Sequence, residues 1–349
     1  MDRLHVELVA THPLDFRDAA RFAATCTAAR FAILSGPLHL STDIERIITI
    51  AQVERLLHLL AWCGQAVRSL RLDQQPRALW AKDAIERAER AGTNDTTNVR
   101  SDAQVHAMEQ MPWASVRVLQ TICSCCPNLE ELAFHGWVAY GGSDTRWAAS
   151  LAGELAQLPR LRRARLPSGL ARPEELLERC PQLTQIDVGI CTPEHVRRLL
   201  ESPHAARLHQ LRMYGVGGAE LSLLSRCPHL RRLHLRFCDL SRLALTAVLP
   251  ERLTVLTLDE CDASCTAPLP TEQLRKHLRQ LQCFDAGQAW RAASRTDRVC
   301  LLEALVVLPR LRVLNVSGIP GLSDAMLHQL IASCPLLHTL GSQLVDSAV

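Results

Sequence analysis

The chain has 349 residues, a formal net charge of +3 and 48% hydrophobic residues, with aromatic residues at only 4%. That length and apolar share fit a globular protein with a large core, and they exclude a disordered chain and a small stapled domain. So small a net charge gives no case for nucleic acid as a partner, and no uncharged apolar run is long enough to span a membrane.

The first residues show no long apolar run after a basic start, so no signal peptide is expected. The fourteen cysteines are scattered through apolar stretches and read as small buried hydrophobes, which makes the cytosol or nucleus the expected compartment. Residues 4–34 have helical periodicity, broken at Pro13-Leu14-Asp15, where Asp15 can cap the next helix. After Gly36-Pro37 comes "LHL", then an apolar-periodic stretch leading to "VRSLRL" at Val67. A polar insertion at about 74–112 follows, with a charged helical piece at Lys82–Arg90 and a solvated loop at Gly92–Asp102.

Beyond the insertion one rhythm dominates. The pattern L-x-x-L-x-L, with other apolar residues allowed, begins at Val67, Leu129, Leu161, Leu183, Leu208, Leu230, Leu253, Leu278 and Leu311, with a worn copy at Leu337. From Leu161 to Leu278 the steps are 22, 25, 22, 23 and 25 residues. The Leu233-x-Leu235 step is that of a strand with one buried face. Cys-Pro pairs at Cys126, Cys180, Cys227 and Cys334, and Leu-Pro pairs at Leu158 and Leu308, stop a helix just before the next strand. Shorter insertions follow His135, with two tryptophans and a tyrosine, and Cys283. The two tryptophans and the tyrosine read either as rings packed on a helix edge or as a partner-binding ridge.

This spacing resembles that of leucine-rich repeats, in which a single copy cannot bury its apolar side and stacked copies can. The expected fold is an α/β leucine-rich-repeat solenoid, with a curved parallel sheet inside and helices outside. The last full copy resembles the cysteine-containing class common in F-box substrate receptors. There Leu322-Ser323-Asp324 would start a helix, Leu327 and Leu330 would bury its face, and Cys334 would close the unit.

The head, "LHVELVATHPLDFRDAARFAATCTAARFAIL", resembles the later part of an F-box. Leu14-Asp15-Phe16-Arg17-Asp18 matches the loop and start of its middle helix, and Ala19, Ala20, Phe22 and Ala23 match the apolar face. Thr25 to Phe31 stands where the family has its last turn and helix. The family's opening Leu-Pro is reduced to Leu4, and its tryptophan is replaced by Phe31. The expected organisation is an F-box-like helical segment over 1–35 and a repeat domain over 36–349. The resemblance implies that Leu8, Leu14, Phe16, Phe22 and Phe31 dock a Skp-type adaptor. An amphipathic cap that seals the first repeat is the alternative reading of the same residues. Only Lys82 and Lys276 are lysines among the basic residues, which reads first as codon usage in a GC-rich genome, with avoidance of self-ubiquitylation as the alternative.

No P-loop, G-x-S-x-G or H-E-x-x-H occurs, and Gly215-Val216-Gly217-Gly218 reads as a tight turn after a strand. The cysteines have no zinc-ligand spacing, so no metal, cofactor or catalytic residue is expected. Strand side chains alternate, so the residues flanking the core leucines face away from the core. They are Arg163 and Arg165, Gln185 and Asp187, Gln210, Arg212 and Tyr214, then Arg232, His234 and Arg236, with the sign turning at Asp259 and Glu260. This basic track is either a solvated polar face or a site for an acidic or phosphorylated protein segment, which arginine binds bidentately. The expected role is that of a substrate-recognition subunit of a Skp–cullin–F-box ubiquitin ligase, monomeric apart from that complex. A stand-alone scaffold or inhibitor similar to ribonuclease-inhibitor-like proteins is the rival, with a GTPase-activating repeat protein behind it.

Overall fold

A computed structural model describes residues 14–15, 38–43, 58, 60–61, 63–73, 116–135, 151–166, 172–240, 249–261, 278–286, 308–317 and 324–341. The insertions expected at 74–112 and after His135, and most of the one after Cys283, lie outside the described residues, as do Leu8, Phe16, Phe22 and Phe31. The chain divides into two compact units, Met1–Leu183 and Thr184–Val349.

Among the described residues of the first unit, five parallel strands follow in chain order: β1 (Leu14–Asp15), β2 (Leu38–Asp43), β3 (Val67–Asp73), β4 (Glu131–His135) and β5 (Arg163–Arg165). Leu14 pairs with Leu40, so one of the head residues matched to the F-box is a strand residue of the sheet. Helix α1 (Val116–Cys125) buries Leu119, Ile122 and Cys123, with Cys126 beyond its end, on the i, i+3, i+4 face. Helix α2 (Pro173–Arg179) opens on a proline at its first position, where the missing N–H has no partner to lose, and buries Leu176 and Leu177.

Among its described residues the second unit continues the rule with seven parallel strands in chain order: β6 (Gln185–Ile190), β7 (Gln210–Tyr214), β8 (Arg232–Arg236), β9 (Val255–Asp259), β10 (Cys283–Asp285), β11 (Val313–Asn315) and β12 (Thr339–Gly341). Between β6 and β7, α3 (Pro193–Glu201) is capped by the Thr192 hydroxyl, which accepts from the His195 N–H at 3.4 Å. It buries Val196, Leu199 and Leu200. A short helix α4 (Gly218–Leu221) runs into a 3-10 turn before β8, and α5 (Asp324–Ser333) precedes β12. On α5, Leu330 is buried and Leu327 only half-buried.

Each rung is built the same way, and the chemistry of its residues explains why. Leu230, Leu233 and Leu235 are at most 1% exposed. Burying each such side chain contributes about 1.5–3 kcal/mol. The chain reaches this row through a turn in which the first leucine's N–H bonds back to the residue that closes the helix. Leu230 N–H donates to the Cys227 carbonyl at 3.0 Å, Leu183 to Cys180 at 3.0 Å and Leu281 to Leu278 at 2.8 Å. The next N–H reaches the neighbouring rung, as in Thr254 to the Arg231 carbonyl and Gln282 to the Thr254 carbonyl, both at 2.8 Å. Buried backbone groups are thereby paired one rung at a time.

Leu278 corrects the expected frame. β10 pairs Cys283 with Val255 and Phe284 with Leu256, and Leu281, Phe284 and Ala286 are buried. The rung is therefore Leu281-Gln-Cys-Phe284-Asp-Ala286, beginning three residues later than the pattern beginning at Leu278. Leu278 instead occupies the closing place that Cys227 and Leu308 fill elsewhere. Both frames satisfy a loose apolar pattern, and the larger Phe284 ring decides between them by filling the core. The last copy is worn in fact as in sequence, with Leu337 and Leu340 only half-buried.

These rungs make the chain an α/β leucine-rich-repeat solenoid. Among the described residues no helix is long and apolar enough to cross a membrane.

Candidate protein-binding face of the sheet

In the second unit the strand register sorts the outward side chains into rows. Gln185, Gln210, Arg232 and Val255 stand side by side, as do Asp187, Arg212, His234 and Thr257. A third row holds Tyr214, Arg236 and Asp259. Neighbouring rungs are about 4.8 Å apart, so side chains in one row touch. The structure thus brings together eight of the expected residues, from Gln185 to Arg236, on β6, β7 and β8. Arg163 and Arg165 stand on β5 in the first unit, where Arg163 pairs with Glu131 at 3.2 Å.

The charge on this face is compensated in place. Arg212 lies 3.9 Å from the Asp187 carboxylate, and its guanidinium sits 5.3 Å from the centre of the Tyr214 ring. Arg236 is held between Asp259 at 3.0 Å and Glu260 at 2.7 Å. The hydrogen bond that Arg236 donates to the Glu260 carboxylate keeps the Arg236 pKa above the usual arginine value, with the Asp259 charge adding to it. Arg232 alone of the three central arginines makes no ion pair among the described residues. The expected basic track is therefore a ladder of alternating sign with one available guanidinium.

Backbone geometry adds a feature that no residue pattern shows. Just past β8 and β9, Phe237 and Glu260 take φ values of 55° and 50°, and Gly215 past β7 takes 65°. Glycine adopts this left-handed conformation freely, whereas a residue with a Cβ pays about 1–2 kcal/mol for it. The conformation turns Phe237 outward, 49% exposed, over the Arg236 guanidinium at 4.7 Å from the ring centre. It also swings Glu260 back onto Arg236. A phenylalanine directly after a strand ending in arginine was the only trace of this in the sequence.

Three of the buried thiols are held in their protonated form. Burial pushes the Cys63 pKa up to about 11 and those of Cys123 and Cys227 up to about 12. No disulfide links the described cysteines, and no group of three metal-ligating side chains occurs among the described residues.

No protein-family model matches the chain, and no curated protein matches it. Among solved structures it is similar to one in the crystal structure of the yeast Rad7–Elc1 complex, at 16% identity with a TM-score of 0.39. That match covers 65% of this chain and 66% of the other, just under two thirds of its length. An internalin of Listeria monocytogenes is also similar, at 16% identity and a TM-score of 0.35, covering 64% of this chain and 70% of that one. The assignment of the fold rests on the rungs themselves.

Proposed function

We propose that the chain is a non-catalytic protein-binding module, and specifically the substrate-recognition subunit of a Skp–cullin–F-box ubiquitin ligase. The head would dock a Skp-type adaptor through Leu8, Leu14, Phe16, Phe22 and Phe31, and the outward sheet face would hold an acidic or phosphorylated protein substrate. The protein works in the cytosol or nucleus as a monomer within that complex. It does no chemistry of its own and raises the local concentration of substrate at the ligase.

The observation that carries the binding role is the ordered set of outward side chains on β6, β7 and β8, held over a continuous leucine core. Such a set is held in place on the sheet before a partner arrives, which lowers the cost of association. Arg232 offers a ready guanidinium, while Arg212 and Arg236 would exchange an internal carboxylate for one from the partner. The ligase link is supported by the match of Leu14 to Phe31 to the F-box pattern.

The test is binding of purified Skp adaptor to the full chain and to a Phe16→Asp/Phe22→Asp/Phe31→Asp variant. Point changes are preferable to deletion of 1–35, because deletion would also remove β1 from the sheet. Loss of binding in a folded variant supports the reading. No binding by the full chain removes the ligase and leaves a repeat scaffold.

A further inference from the structure

A second cluster of arginines lies off this face, at the edge where the strands of the second unit begin. Arg231, Arg252 and Arg279 come from three successive rungs and line one cavity of about 440 Å³ with Glu251, Thr254 and Gln280. That volume lies within the range of small-ligand sites, about 300–1,000 Å³. The placing follows from the repeat. Arg231 directly follows the first core leucine of its rung, Arg252 directly precedes the first core leucine of the next, and Arg279 stands two residues before Leu281. Cross-rung bonds from Thr254 N–H to the Arg231 carbonyl and from Gln282 N–H to the Thr254 carbonyl fix the three rungs side by side.

The two clusters differ in what neutralises them. Arg212 and Arg236 face carboxylates of their own sheet, whereas Arg231, Arg252 and Arg279 make no ion pair among the described residues, although Glu251 lines the same cavity. The Arg252 Nη1 lies 3.3 Å from His229 Nδ1, and Arg310 donates to the Gln280 Oε1, so the Gln280 amide N–H₂ remains as a donor. The cavity thus gathers three guanidinium groups that make no ion pair among the described residues, and an amide donor. That is the chemistry of a phosphate dianion, which takes several charge-assisted hydrogen bonds at once. No aromatic ring lines the cavity, so there is no platform on which a nucleic-acid base could stack.

We propose that this edge cavity is a phosphate-monoester site, and that it takes a phosphorylated side chain of a protein partner. It deepens the reading of a phosphorylated substrate and rests on that reading only for the source of the phosphate. The Glu251 carboxylate in the same cavity opposes any anion bound there and so limits its affinity.

The test uses the full chain and a fluorescent heptapeptide, Gly-Ser-Gly-phosphoserine-Gly-Ser-Gly, its unphosphorylated twin, and O-phosphoserine and inorganic phosphate as competitors. Binding is read by anisotropy at two salt concentrations, with circular dichroism for folding. The phosphopeptide is expected to bind and the twin not to. Arg231→Ala, Arg252→Ala and Arg279→Ala should each weaken binding about tenfold or more, and Arg→Lys should recover only part because the fork is lost. Glu251→Gln should tighten it. Arg226→Ala, an equal change of charge outside the cavity, should leave it unchanged. O-phosphoserine competing as well as the peptide supports the site and assigns a small-molecule source. Equal affinity in the folded triple variant, an equal loss in Arg226→Ala, or no phosphopeptide binding overturns the proposal. None of these outcomes depends on Skp binding, so failure here and failure of the ligase reading are distinguishable.

Discussion

Two glycines of the first unit should respond to the same substitution with opposite sign. Gly64 is buried in the 3-10 turn Gly64–Ala66 that leads into β3. A Cβ added there would lie 2.2 Å from the carbonyl oxygen of Cys125 and 2.7 Å from its carbonyl carbon. Relieving the overlap needs about 1 Å of movement at the end of α1, since an attractive contact needs more than 3 Å between such atoms. That end is tied to the turn: the Asn128 amide donates to the Gln65 carbonyl at 2.9 Å, and Arg68 donates to the Asn128 carbonyl at 3.2 Å. Overpacking of this kind costs about 1–3 kcal/mol, and the obstacle is backbone, so the upper part of that range applies. The loss of unfolded-state freedom returns only about 0.4–1 kcal/mol. Gly64→Ala should therefore destabilise by about 2 kcal/mol. Gly153, within the helical residues 151–155, meets nothing closer than Arg179 Nη1 at 3.7 Å. There alanine should stabilise by about 0.5–1 kcal/mol. Urea unfolding followed by circular dichroism reads both. At a slope of about 2 kcal/mol per molar, Gly64→Ala lowers the midpoint by about 1 M and Gly153→Ala raises it by less than half that. If the two units unfold separately, only the transition of the first should move. A Gly64→Ala midpoint at or above that of the unsubstituted protein would refute the reasoning.

Removing a rung leucine should be costly wherever the core is closed: Leu233→Ala, at a position 1% exposed, should cost about 3 kcal/mol in the same assay, and a cost below about 1 kcal/mol would mean the rung collapses around the gap. The buried thiols make stability depend on alkaline pH. The folded pKa of Cys227, about 12, lies above the ordinary 9.0, so its contribution is whole below pH 9 and is lost as pH rises toward 12. Cys123 behaves alike. The unfolding free energy read from urea titrations should fall from pH 9 to pH 11, by up to about 1.4 kcal/mol per pH unit for each such thiol, and Cys227→Ala should make that fall shallower. An equal slope in the variant would show that other groups carry it.

Much of the fold was legible because the repeat repeats its reasons. A leucine at the first place and a leucine or other apolar residue at the fourth and sixth, in most copies after a proline or cysteine stop, give the same turn and strand, and Leu183, Leu208, Leu230, Leu253 and Leu311 open rungs as read. The slip at Leu278 came from allowing cysteine as a core residue, which made Cys283 seem an inward position. The signal that would have prevented it was local: Leu278-Arg-Gln-Leu281 has the form of Leu158-Pro-Arg-Leu161 and Leu308-Pro-Arg-Leu311, a closing residue followed by a first leucine.

The face was legible as a list of residues but not as an electrostatic surface. Alternation alone places Arg212 and Arg236 outward. Whether their charge is free depends on what the adjacent rung presents at the same height, and that is fixed by register. Register sets Asp187 beside Arg212 and Asp259 beside Arg236, while the left-handed turn at Glu260 brings in a second carboxylate. Strand periodicity assigns no direction to arginines outside the strands. Yet at the strand-entry edge, one place before or after a core leucine, no neighbouring rung supplies an acid at the same height to Arg231 or Arg252. Register pairs charge at that edge where it can, as Arg68 with Glu130 at 3.9 Å, so a search for an anion should begin where the adjacent rungs place no acid at the same height, as His209 and Thr254 do beside Arg231.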